Sequence, residues 1–122
     1  RTNEVGEISR GIKALAMEAD VPILLLSQLN REVEKREGNR PRMSDLRDTG
    51  DIEQDADQII FIHREDYYHA TDRAWLAENP AKLDVTELLV EKNRNGQRGS
   101  VQCRWQPERM RLIDDAELAF AA

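Results

Sequence analysis

A single cysteine, Cys103, excludes an internal disulfide framework and fits a reducing, cytoplasmic setting. Long apolar runs are missing too. None approaches the roughly 18 to 20 residues of a membrane span, and no signal peptide is present, so no membrane partner is expected. Nor is positive charge in surplus: 18 Lys and Arg against 24 Asp and Glu leave a net charge of −6. That balance suits a soluble chain and gives no general attraction to nucleic acid or anionic lipid, so any phosphate contact must come from local placement of cations.

Catalytic signatures are equally scarce. No G-x-S-x-G elbow and no Cys/His dyad can be assembled. There is no G-x-x-x-x-G-K-[ST] loop, and no strand upstream ends in an Asp able to hold Mg²⁺. His63 and His69 lack zinc-ligand spacing and a cysteine partner. Asp51, Glu53, Asp55 and Asp57 alternate like a calcium loop, but Ala56 stands where that loop needs glycine; they read better as a carboxylate-rich helix N-terminus. An initiator methionine is also missing, and the sequence opens inside an amphipathic pattern. The expectation is the back part of a longer protein, with residues 1–122 forming one domain or a portion of one.

What is present has a clear order. Val5, Ile8, Ile12, Leu15 and Ala19 recur at helical spacing and predict a helix over about 3–19 with that stripe buried. Gly6 and Gly11 weaken it, and Asp20 and Pro22 end it. The continuous run Ile23–Leu26 reads as a strand buried on both faces, as in a parallel sheet. Residues 30–43 form a charged surface loop with room for one helical turn, followed by two short helical turns around Gly50. "QIIFIH", 58–63, is a second buried strand; 64–83 shows no period and reads as an irregular excursion. Strands return near 84–92, 99–106 and 110–113, and the Ala-rich tail is compatible with a helix. The fold class is therefore α/β, a mixed sheet with helices and a C-terminal antiparallel hairpin.

The hairpin carries the most suggestive residues. Asn95-Gly96 is a strong type I′ turn signal. As a two-residue loop it would pair Lys92 with Gly99, Val90 with Val101, Leu88 with Cys103 and Thr86 with Trp105, with Glu87 opposite Arg104 on the other face. Lys92 and Arg94 would then share the side of the apolar stripe, beyond the edge of the core, about 7 Å apart. On pattern alone, an exposed turn with ordinary surface charges accounts for them equally well. Gln28 closes the first apolar strand, where ligands of open α/β sheets bind, although "SQLN" also reads as the start of a loop. Arg47, Asp48 and Gly50 in "LRDTG" could meet a phosphate, but capping by Thr49 and Asp51 explains the stretch as well. Tyr67, Tyr68 and Trp75 have few basic neighbours and read as packing.

Taken together, "ILLLSQLNREVEKR", "RPRMSDLRDTGDIEQDADQIIFIHR" and "EKNRNGQRGSV" resemble, in order and spacing over about 3–113, the last part of the RecA-like motor domain of DnaB-type replicative helicases. The run SDLR-x-x-G-x-IEQDAD is the most specific part. The resemblance implies the downstream half of a RecA-like P-loop NTPase core within an ATP-driven homo-hexamer. Such a hexamer translocates on single-stranded DNA at a replication fork and works with primase and a helicase loader. ATP and Mg²⁺ would be held mainly by residues upstream. Gln28 would sense the γ-phosphate; Arg47, Asp48 and Gly50 would line the DNA channel; Lys92 and Arg94 would be fingers reaching a neighbouring subunit's nucleotide. Asp48 departs from the Glu common in the family. Another RecA-like ATPase, or a non-enzymatic interaction module derived from one, are the alternatives.

Overall fold

The protein is described by a computed structural model covering residues 2–115, side chains excepted at positions 2, 3, 5 and 47–50. The tail after 115, read as compatible with a helix, lies outside these residues.

Helix α1 spans Thr2–Ala19. It ends as Asp20 turns into the left-handed region (φ 53°) and the Val21 N–H donates to the Ala16 carbonyl at 3.1 Å. Much of the expected buried stripe is exposed, with Ile12 half-buried. Ile8 is 60% and Leu15 55% exposed, whereas Gly6 and Ser9 are buried. The reason lies in what α1 packs on: the six-residue α3, Gly50–Asp55, which offers carboxylates and a single large apolar side chain, Ile52. The strand expected at Ile23–Leu26 forms no ladder, and Leu24 and Leu26 are 88% and 86% exposed. A strand needs a neighbour to take its N–H and C=O groups, and the described residues give this segment none.

The loop prediction for 30–43 holds, with one helical turn, α2, at Glu32–Lys35. Its shape is set by Asp45, whose carboxylate takes both ends of the Arg36 guanidinium (3.0 and 2.9 Å) and the Arg42 backbone N–H (2.7 Å). A 3₁₀ segment, Met43–Thr49, then leads into α3.

The sheet is an antiparallel meander, β1 (Gln58–His63), β2 (Val85–Asn93), β3 (Gly99–Gln106) and β4 (Arg111–Asp114), in that order. One face packs on a core of Leu46, Ile59, Phe61 and Leu89, with Leu29, Met43 and Ala56 against it. The other leaves Ile60, Ile62 and Val101 exposed. Between β1 and β2, the excursion is less irregular than expected. It holds α4, Arg73–Glu78, capped by Asp72, and is anchored by the Arg64–Asp66 ion pair (3.0 Å). The aromatic residues there pack on one another: Tyr67 and Tyr68 meet edge to face, and Trp75 stacks on His69.

The hairpin register differs from expectation by two residues: Val90 faces Gly99, Leu88 faces Val101 and Thr86 faces Cys103. Because alternation has period two, an even shift leaves Leu88, Val90, Val101 and Cys103 on their expected common face. Neither Asn95 nor Gly96 takes the positive φ a type I′ turn requires. The turn instead runs from Asn93 to Gly96, closed by the Gly96 N–H on the Asn93 carbonyl at 3.2 Å. The tip of β2 is claimed by β1, not β3: Lys92 and Asn93 pair with Ile59 and Gln58. That pairing contains a bulge. Ile59 faces Lys92 but Ile60 faces Val90, so Glu91 is the extra residue.

Candidate functional site

The bulge decides where the cations go. Beyond it, Lys92 lies opposite Ile59, on the face of Phe61 and Leu89, not on the Val90 face expected from simple alternation. There it meets the end of α3. Lys92 Nζ donates to the Glu53 carbonyl at 2.5 Å and the Gln54 carbonyl at 3.2 Å. Carbonyls in the last turn of a helix lack intrahelical partners and carry its negative end, so a cation is well placed on them.

Arg94 arrives at the same spot. Its Nη1 donates to Asp57 Oδ1 at 2.6 Å, its Nη2 to the Gln54 carbonyl at 3.3 Å, and its backbone N–H to the Asp57 carbonyl at 2.9 Å. Both cations, with Glu53, Gln54, Glu91 and Arg98, line an open cleft of about 770 Å³.

Asp51 and Glu53 stand in the first turn of α3, the helix-start position expected of them, and carboxylates of α3 and of Asp57 just after it have a second role. They dock α3 on α1. Ser9 Oγ donates to Asp55 at 2.8 Å, Lys13 Nζ donates to both Asp57 oxygens at 2.7 Å, and Arg10 pairs with Asp51 at 3.5 Å. A Cβ on Gly6 would overlap the Asp51 carboxylate, so this glycine permits the close approach of the two helices. Lys13, with Arg94 and Lys92 adding to its field, holds the Asp57 carboxyl below the usual carboxylate range.

Gln28 is exposed and lies between Ser27, whose hydroxyl donates to the Gln28 carbonyl at 3.3 Å, and Leu29, which packs against the core. The Asn30 N–H donates to the Asp45 carbonyl at 3.2 Å, tying this segment to the 3₁₀ turn that carries Arg47. Among the described residues, no hydrogen bond joins Gln28 to Lys92 or Arg94. The backbone of Arg47 and Asp48 belongs to that turn and Gly50 opens α3; the side-chain contacts expected of this stretch lie outside the described residues.

Sequence reasoning missed Asp57 as a partner of Arg94 and Lys13 as a partner of Asp57. The contacts join positions about forty residues apart, and nothing in one sequence marks such a pair. It also missed the environment of His63. This imidazole is buried in the face of β1 that carries the core, its Nδ1 has no hydrogen-bond partner, and burial lowers its pKa. Among the described residues, no group of three or more His, Cys, Asp or Glu could hold a metal ion, and no helix is long and apolar enough to cross a membrane.

The family model described as DnaB-like helicase C terminal domain matches residues 1–114. The chain is 45% identical to the replicative DNA helicase DnaB of Geobacillus stearothermophilus and 41% identical to that of Rickettsia bellii (strain RML369-C). Each comparison covers 93% of this chain but only 23% and 26% of the respective relative, so the chain spans about a quarter of their length. Among solved structures, an ATPase domain is similar at TM-score 0.80 and 38% identity, covering 93% of this chain and 37% of that one. A DnaB-like replicative helicase, studied with its interactions with primase, is similar at the same TM-score and identity, covering 93% and 26%. These neighbours share the RecA-like ATPase fold expected from the sequence.

Proposed function

The chain belongs to the DnaB-like helicase C-terminal domain family, and from that membership we propose that it is the downstream portion of a hexameric replicative helicase motor driven by ATP hydrolysis. One observation carries the reading of its site. Lys92 and Arg94, both beyond the bulge at Glu91, line one open cleft at the tip of β2.

In this reading the pair acts in trans. A nucleotide bound by the adjacent subunit presents its γ-phosphate at the cleft, where Lys92 and Arg94 neutralise the charge that develops as water attacks. A finger of this kind is typically worth 10³ to 10⁵ in rate, or about 4 to 7 kcal/mol of barrier. Arg94 can do this while anchored, because its contacts to Asp57 and Gln54 occupy one donor on each terminal nitrogen of a guanidinium that has five. Mg²⁺ and the phosphate-cradling loop come from residues other than those described.

Arg47, Asp48 and Gly50, at the junction of the 3₁₀ turn and α3, are the proposed contacts to single-stranded DNA. Gln28, tied through Asn30 to the same turn, is the proposed γ-phosphate sensor. The similarity to a helicase studied with primase supports primase as a partner, and a loader follows from assembling a ring on DNA. The test is Arg94→Ala in the full-length protein. DNA-stimulated hydrolysis is expected to fall about a thousandfold or more while nucleotide binding survives. Wild-type turnover in that variant would end the finger assignment.

A further inference from the structure

The residues assigned to DNA and the residues assigned to the nucleotide are joined by one short element. Helix α3 starts at Gly50, the last residue of the proposed DNA-binding stretch. About 4.5 to 6 Å further on, it presents the Glu53 and Gln54 carbonyls to Lys92, and Asp57 lies two residues past its end. Asp57 grips Arg94 twice, through its carboxylate and through its backbone carbonyl. Any displacement of α3 along its axis therefore moves the groups that hold both cations. Helix α1 supplies the surface it would slide on, through the Ser9–Asp55 and Lys13–Asp57 contacts.

Stability alone does not account for Asp57. Its side chain is 56% exposed and that of Arg94 is 45% exposed, and ion pairs this open contribute little to folding. What the arrangement fixes is direction. A side-chain contact and a main-chain contact to the same residue define where the guanidinium points. Misplacing a reacting group by about 1 Å can cost about a hundredfold in rate.

We propose that Asp57 is a positioning residue for the Arg94 finger, and that α3 transmits the state of the 47–50 stretch to the Lys92–Arg94 pair. The proposal rests on the finger reading above and adds a route by which DNA engagement sets the geometry of hydrolysis in the neighbouring site.

The experiment compares Asp57→Ala, Arg94→Ala, the double variant and Lys13→Ala in the full-length hexamer, measuring ATP turnover with and without an oligo-dT strand. For Asp57→Ala the DNA-stimulated kcat is expected to fall between about tenfold and a hundredfold, with the KM for ATP within about twofold. The ratio of DNA-stimulated to DNA-free rate moves towards one, whereas a purely structural defect would lower both rates in proportion. The double variant is no slower than Arg94→Ala, because Asp57 acts through that residue. Lys13→Ala, which removes the tie to α1 and leaves both Arg94 contacts to Asp57 available, keeps its turnover within about twofold of wild type.

Normal turnover in Asp57→Ala alongside a dead Arg94→Ala would overturn the inference and spare the finger. Additive losses in the double variant, or a Lys13→Ala defect as large as that of Asp57→Ala, would also overturn it. A fully active Arg94→Ala would instead remove the finger reading itself. Should Asp57→Ala fail to assemble, Asp57→Asn carries the same expectations.

Discussion

His63 shows how a residue can be placed by its strand and still sit uneasily there. The alternation of β1 puts Ile59, Phe61 and His63 on the core face, so the imidazole is buried with its Nδ1 unpartnered. Burial pushes its pKa below the ordinary 6.5; Glu87 and Glu65 pull the other way and Arg40 reinforces the drop. A histidine whose folded pKa is lowered binds fewer protons folded than unfolded, so stability falls as pH drops below about 6.5. His63→Gln should flatten that slope in melting temperature measured from pH 7.5 down to about 5.5. The strand was legible in "QIIFIH", but the missing hydrogen-bond partner was not, since it depends on what the loop at 36–43 brings alongside.

At the scale of elements, the loop before α3 is held by a buried ion pair as well as by the apolar packing of Val33, Met43 and Leu46. The Asp45 side chain is 1% exposed and that of Arg36 17%. The Arg36 guanidinium, with the Arg42 N–H, holds the Asp45 carboxyl below the usual range. A carboxylate depressed in the fold contributes stability above its unfolded pKa near 3.8 and loses it as pH falls through the lower folded value. Arg36→Ala would strand a buried charge and is expected to cost about 3 kcal/mol in chemical denaturation, far more than an exposed pair. The sequence announced a polar loop here and hid its organising carboxylate, because Asp45 looks like any other helix-start aspartate. Hairpin faces for 86–90 and 99–103 were legible, since an even register error preserves them. The turn was not, because β1 competes with β3 for the tip of β2.

Across the whole molecule, the apolar patterns were read correctly as patterns but not as burial. The run at 23–26, the stripe through Ile8 and Leu15 and the sheet face bearing Ile60, Ile62 and Val101 are all exposed. Contiguous apolar surface on this scale marks contact surfaces. The chain spans about a quarter of its relatives' length, and among the described residues nothing covers these faces. The 122-residue chain alone should bind a hydrophobic dye such as ANS and self-associate with rising concentration, while the full-length protein does neither to the same degree. A dye-silent, monomeric 122-residue chain would mean that these surfaces find cover within it.

The extra residue in β2 acts as a parity switch. Sheet alternation is a binary code, odd or even, and one insertion inverts every position that follows it. Glu91 is that inversion, and it sends Lys92 towards α3 in place of the opposite face. What matters about position 91 is then that it exists, more than what occupies it. Substitutions there should be tolerated, whereas deleting Glu91 would turn Lys92 away from the cleft while leaving both cations in the sequence.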